Sequence, residues 1–392
     1  MKKLFLSLLA LLPLSTFAQH NPETFRTPVA QAPLRTEVML PQVNGYNIYK
    51  ADLHTHSIYS DGETTPAFRV REAYYDGLDA VAITEHIEYR RIEGKMLKFL
   101  KGYTKGKALK AKNWNLTRKA ANEEGIIADL NYSVKEATDE AKNYGILIIP
   151  GAEITREPVS VGHFNALFTK DNNAIYDADP VQAIRNARSQ GAIIQHNHPG
   201  WRRTSCAMTP AEETAYNEGL IDGIEVINGS AFYTTMVDRA IEKNLFVSAN
   251  TDIHTTTAEG FRLKGQLRNM TLIFAKECTL EGLREAIEAK RTLAMGGGYV
   301  AGPEQLLKDL FLASVKFEVI GKDTKTGARK VLVTNMYSVP FTFKRSKNAY
   351  PSTIEPLSSI TLNVEKGKKL YLTLTNLLHG DNKPLNVQID IK

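Results

Sequence analysis

Ala80-Val81-Ala82-Ile83-Thr84-Glu85-His86 is a short apolar run that breaks into ionisable residues at its end, and the phrase returns along the chain. Ile146-Leu147-Ile148-Ile149 leads into Pro150-Gly151-Ala152-Glu153, Ala192-Ile193-Ile194 into His196-Asn197-His198-Pro199-Gly200, and Leu245-Phe246-Val247-Ser248 into Thr251-Asp252-Ile253-His254. Gly223-Ile224-Glu225-Val226-Ile227 is a further run of this length. Such runs are short for helices and suit buried strands. Between them, residues 180–190 and 279–290 place apolar side chains at helical spacing. Strand and helix alternating from Tyr46 onward predict an α/β fold of the barrel type. Strand interiors fill the core of such a barrel, while polar residues at the C-terminal strand ends face one shared site. The histidines of this chain fall at those ends.

The first of these groups is Asp52-Leu53-His54-Thr55-His56-Ser57, followed by Ser60-Asp61-Gly62. Residues two apart on a strand point to one face, so both imidazoles can reach one cation. Alone, the pair also fits two structural histidines satisfied by hydrogen bonds. Gly162-His163-Phe164-Asn165 adds another group, and of nine histidines only His20 and His379 lie outside these blocks. Histidine, glutamate and aspartate gathered in this way are what a multinuclear hydrolytic site needs. Imidazole and carboxylate without thiolate suit Zn, Mn or Fe.

The ordered set, from about residue 46 to 300, resembles the polymerase and histidinol phosphatase (PHP) family of metal-dependent phosphoesterases. It looks nearest to a secreted bacterial subgroup with a C-terminal β domain, on the phrases Pro150-Gly151-Ala152-Glu153-Ile154-Thr155-Arg156 and Asn197-His198-Pro199-Gly200-Trp201. The resemblance implies a distorted seven-stranded (β/α) barrel, TIM-like, holding two or three divalent cations. By matching motifs, His54, His56, Glu153 and Asp252 would hold the first, with Glu153 bridging to a second held by His163 and His198. Asp61, His86 and His254 would hold the third. Many members carry histidine where Asp61 stands, which implies weaker occupancy there. His196, where relatives more often carry an apolar residue, is read with Glu85 as an outer partner of the ligands or as packing, and its i, i+2 relation aims it at the face of His198.

Two cations about 3.5–4 Å apart can generate a bridging hydroxide near neutral pH and clamp charge on a phosphoryl group. The expected reaction is in-line attack of that hydroxide on a phosphate mono- or diester, with Glu153, Asp252 and His198 carrying the catalytic centre. Arg156, Arg202 and Arg262 lie near the motifs and would bind the small phosphorylated substrate; each reads equally as a salt-bridge residue. Trp201 either lines the entrance or packs at the barrel rim. The alternatives are a metal-dependent hydrolase of another ester or amide, and a non-catalytic metal-binding protein whose β domain attaches to a surface.

Outward from this core, Met1-Lys2-Lys3, an apolar run over residues 4–12 and Thr16-Phe17-Ala18 before Gln19 read as a signal peptide, residues 1–18. The mature protein is then expected in the periplasm or outside the cell, with no further membrane-spanning segment. Residues 19–43, with Pro22, Pro28, Pro33 and Pro41, read as an extended leader, and residues 44–303 as the catalytic barrel. Alternation at Val315-Lys316-Phe317-Glu318-Val319, Leu370-Tyr371-Leu372-Thr373-Leu374 and Val387-Gln388-Ile389-Asp390-Ile391 predicts a small antiparallel β domain over residues 314–392, with Gly296-Gly297-Gly298 as the joint. Residues 90–119 carry eleven Lys or Arg against Glu93 alone, either a lid that attracts anions or a solvated basic insertion. Cys206 and Cys278 could pair or stay free. Without Lys2 and Lys3 the chain has 47 basic and 43 acidic side chains, too mild an excess to imply a nucleic-acid partner.

Overall fold

The computed structural model describes residues 35–90, 129–155, 161–365, 367 and 369–391. The signal peptide, the leader as far as residue 34, the basic insertion from residue 91 and Arg156 lie outside the described residues. The apolar runs form the strands β1 (Asn47–Asp52), β2 (Ala80–Ile83), β3 (Leu147–Thr155), β4 (His163–Leu167), β5 (Ile193–His196), β6 (Gly223–Asn228), β7 (Ala231–Phe232) and β8 (Phe246–Asn250). β1, β2 and β3 pair in parallel, as do β5, β6 and β8, and β4 runs antiparallel between β3 and β5. On the other side of β1 lie β9 (Met270–Ala275), β10 (Thr292–Gly296) and β11 (Tyr299–Ala301), all antiparallel to their neighbours in this group.

β8 meets β9 and β10 through threonine hydroxyls. Thr271 Oγ1 bonds both N and O of Ala249 at 3.1 Å, and Thr292 Oγ1 does the same for Val247 at 3.1 and 2.8 Å. The molecule is therefore mixed α/β, with a large parallel-rich sheet whose backbone-paired path is open.

Helix starts follow from local chemistry. Thr65-Pro66, Asp179-Pro180 and Thr209-Pro210 open α1 (Pro66–Tyr75), α3 (Pro180–Ser189) and α4 (Pro210–Asn217); α2 is Tyr132–Ala141. Each cap side chain accepts a backbone N–H that the helix leaves free, and proline at the first position has none to lose. α5 (Thr234–Glu242), α6 (Thr257–Gly260), α7 (Leu280–Glu288) and α8 (Glu304–Ser314) complete the helices cited here.

The C-terminal alternation divides between two sheets. β12 (Val315–Lys322), β13 (Arg329–Asn335) and β16 (Ser359–Val364) form a separate three-stranded antiparallel sheet. β14 (Phe341–Lys344), β15 (Ser352–Ile354), β17 (Leu370–Leu378) and β18 (Pro384–Ile389) join the large sheet, because β17 pairs in parallel with β11. Gly297 and Gly298, both at positive φ, make the tight β10–β11 turn that presents this edge. Leu307, Leu310 and Phe311 of α8 are fully buried in the same apolar cluster as Phe341, Phe343 and Leu372. Each such side chain contributes about 1.5–3 kcal/mol relative to exposure. Of the expected leader, Val38 and Val43 are buried in this cluster too.

Candidate metal centre

β1 ends at Asp52, but the extended backbone continues. Thr55 pairs with Ile253, and its N–H donates to Thr84 Oγ1 at 3.0 Å. His54 and His56 therefore stay on one face, as their spacing predicts. Their Nε2 atoms lie 3.1 Å apart, and Asp252 Oδ1 is 3.3 and 3.2 Å from them. Separations of 3.1–3.5 Å match the edge of a coordination polyhedron with bonds of about 2.1 Å.

Glu153 stands at the centre. Its Oε1 is 3.5 Å from His54 Nε2, 3.4 Å from His163 Nδ1 and 3.5 Å from His198 Nε2, while Oε2 is 3.5 Å from His56 Nε2. The β2–β3 pairing resumes at His86 and Glu153, which brings the His86 ring alongside. Asp61 Oδ1 then lies 3.3 Å from His86 Nε2 and 3.1 Å from His254 Nε2, with His56 Nδ1 at 3.9 Å. Asp61 reaches this place because Gly62 packs on the His56 backbone; a Cβ there would fall 2.8 Å from the His56 carbonyl.

Four sets thus form among the described residues: His54, His56 and Asp252; Glu153, His163 and His198; His56, Asp61, His86 and His254; and His54, His198 and Glu225. Among the described residues, buried His163 Nε2 makes no hydrogen bond, and buried Glu153 Oε2 and Asp61 Oδ1 meet imidazole nitrogens, at 2.6 Å from His86 and at 3.1 and 3.3 Å from His254 and His86, in an alignment that makes none. Folded proteins seldom leave such atoms orphaned. Three of them among imidazoles and carboxylates fit divalent cations.

The backbone is held in an unfavourable form at two of these residues. His198 has φ of 25° and Asp252 of 51°, a left-handed conformation that costs on the order of 1–3 kcal/mol. The His198 N–H donates to Glu225 Oε2 at 2.8 Å and the Asp252 N–H to His54 O at 2.9 Å, which keeps both in place.

Charge is dense here. Burial works against protonation of His54, but Asp252, Glu153 and Glu225 outweigh it and raise its pKa well above the ordinary value; Asp61 and Glu153 do the same for His86. Burial, with repulsion from His86 and His254, lowers His56 to about 3. Without cations, His54 and His86 therefore hold protons at neutral pH, whereas a cation binds the neutral ring. Binding must release protons, so affinity is expected to rise with pH up to the raised pKa values and to weaken on acidification. Calorimetric cation titrations at pH 7 in two buffers of different ionisation enthalpy should show that release. A heat independent of buffer would contradict His54 and His86 as ligands.

Two supporting residues escaped the sequence reading. Glu225, wholly buried on β6, accepts from His54 Nδ1 at 3.2 Å and from Asn250 and Asn228 at 2.9 Å. A carboxylate on Nδ1 leaves the opposite ring nitrogen free for a cation. The available signal was an acid in the middle of an apolar five-residue run. Glu225→Ala should weaken cation affinity about 10–100-fold in competition with a chelator; unchanged affinity would remove this role. Arg69 of α1, also buried, donates to the carbonyl oxygens of His56 at 2.6 Å and His254 at 2.9 Å, tying two ligand loops together.

Glu85 accepts from the Ser57 and Ser60 hydroxyls, and Ser60 Oγ is 3.3 Å from His56 Nδ1, as an outer partner should be. His196 does not face the ligands. β5 ends at His196 and the positive φ of His198 breaks the alternation, so His196 turns to Glu212 at 2.9 Å and Tyr216 at 3.0 Å in α4.

Asp61, His86, Glu153, His163, His198, Asp252 and His254 line one cavity of about 520 Å³. Trp201 and Arg202 stand at its wall. The Arg202 guanidinium lies 4.4 Å over the Trp201 ring, which packs 5.3 and 5.4 Å from the His163 and His198 rings. Trp201 therefore both lines the cavity and packs. Arg262 instead lines a separate hollow with Asp76 and Arg268, so the expected clamp loses that member. Cys206, half-buried, and Cys278, exposed, are unpaired.

The PHP domain model matches residues 52–300. A crystal structure from Bacteroides vulgatus, of a two-domain protein containing a predicted PHP-like metal-dependent phosphoesterase, aligns over 92% of this chain and 100% of its own, at 32% identity and a TM-score of 0.79. An amidohydrolase from Chromobacterium violaceum, with bound sulfate and no metal, aligns over 52% of this chain and 87% of its own at 15% identity and a TM-score of 0.34, too low to bear on the site. No curated protein matches the chain.

Proposed function

Because this chain belongs to the PHP domain family of PHP-like metal-dependent phosphoesterases, we propose that it hydrolyses small phosphate mono- or diesters. The observation that carries this reading is the position of Glu153 Oε1, within 3.5 Å of nitrogens in two ligand sets. A carboxylate so placed can fix the separation of two cations. Bound divalent cations, of Zn, Mn or Fe type, supply water activation at neutral pH and charge neutralisation at phosphoryl oxygens.

The protein's own groups do the rest. His54, His56 and Asp252, with Glu153, would hold one cation, Glu153, His163 and His198 a second, and Asp61, His86 and His254 a third of weaker affinity. Glu225 and Glu85 orient the imidazoles. Arg202, a permanent cation at the cavity wall, binds non-bridging oxygens and orients the ester; Arg156 is proposed to assist it.

The reading extends to the whole chain: export directed by residues 1–18, a barrel over residues 44–303 closed by the threonine contacts of β8, and a β module over residues 314–392. Among the described residues no helix is long and apolar enough to cross a membrane. The test is conversion of phosphomonoester and phosphodiester panels by protein reconstituted with Zn, Mn or Fe, beside amide and lactone panels. Phosphate release is expected. Turnover confined to amides or lactones would replace this reading, and failure to bind any cation would end it.

A further inference from the structure

We propose that Tyr233 is the proton donor to the leaving oxygen of the ester, an inference that rests on the phosphoesterase reading above. Tyr233 lines the same cavity as Glu153, His198 and Asp252. Its place is set from two sides. Its N–H donates to Val226 O at 2.8 Å, where the β6–β7 hairpin closes, and its ring lies on the turn that carries His198 and Trp201. A Cβ at Gly200 would fall 2.8 Å from Tyr233 Cε1 and 3.1 Å from Cδ1, so glycine in the phrase His198-Pro199-Gly200 makes room for this ring.

The hydrogen-bond inventory of the cavity singles out its hydroxyl. Asn228 is committed to Glu225 and Asp252, and the Thr251 hydroxyl to Asp52. Arg202 donates hydrogen bonds but does not surrender its proton. Ser230 stands exposed on the hairpin turn. The Tyr233 hydroxyl makes no hydrogen bond to any described residue. A phenol is protonated at neutral pH, and burial with the carboxylates nearby pushes Tyr233 higher still, so it keeps its proton until a stronger base forms beside it.

An alkoxide leaving group is such a base. As water attacks phosphorus it forms the new P–O bond and gives up a proton to solvent, while the P–O bond to the leaving group breaks and its electron pair stays on that oxygen. The oxygen takes the Tyr233 proton and departs as an alcohol. The phenolate is reprotonated from solvent, to which the cavity is open.

The experiment compares wild type and Tyr233→Phe, both cation-loaded, on an alkyl phosphate and on 4-nitrophenyl phosphate, whose leaving group needs no proton. Loss of the hydroxyl should lower kcat on the alkyl ester about 100-fold and leave the nitrophenyl ester within about threefold, the size expected of general acid catalysis. Cation content and the thermal midpoint should match wild type. An equal loss on both esters, or none on the alkyl ester, overturns the role of Tyr233 while the phosphoesterase reading stands. A wild type that cleaves neither ester nor any other phosphate ester removes both.

Discussion

Glu153→Ala is expected to bind fewer cations than wild type and to lose phosphate release by about 10³-fold, the scale on which electrostatic stabilisation of a transition state is lost. Glu153 is wholly buried, and both its oxygens serve: Oε1 is shared by His54, His163 and His198, and Oε2 faces His56 and His86. Alanine removes a carboxylate that lies within 3.5 Å of nitrogens in two ligand sets and leaves the imidazoles without the charge that holds them together. Elemental analysis beside a phosphate assay checks both parts. Full cation content with full activity would show that the shared position is accidental; lost activity at full content would make Glu153 a substrate-orienting group instead.

Arg268→Met should destabilise the protein by about 3–5 kcal/mol, the usual result of removing one partner from a buried ion pair. Arg268 is 3% exposed and bonds Asp52 at 2.6 Å and Asp76 at 3.1 Å. Asp52 also accepts from the backbone N–H of His54 at 3.1 Å and of Thr251 at 3.2 Å, so its carboxylate supports the segments on either side of the ligands. Methionine matches much of the volume but strands that carboxylate in the interior. Urea unfolding measures the loss, and an Asp52→Asn, Arg268→Met double variant should recover a large part of it. A single variant as stable as wild type would show that water already reaches Asp52.

The sequence by itself determined the elements and the composition of the site. Apolar runs of strand length, Thr-Pro and Asp-Pro helix starts and the i, i+2 spacing of His54 and His56 act over a few residues, so they are legible locally. The ionisable ends of the runs also named the residues that converge, His163 included. That residue begins its strand rather than ending one; β4 runs antiparallel to β3, so its first residue lies at the same edge as the last residues of β3, with Thr155 opposite His163.

Tertiary structure alone decided the rest. Glu225 meets His54 across 171 residues and Arg268 meets Asp52 across 216, and no local pattern encodes such pairs. The turn of His196 away from the site, the removal of Arg262 to another hollow and the capture of β17 by the edge of β11 have the same origin. Each depends on which surfaces remain unpaired once the strands have assembled, and that is a property of the packed molecule, set by the burial of charge and apolar area between segments distant in the chain.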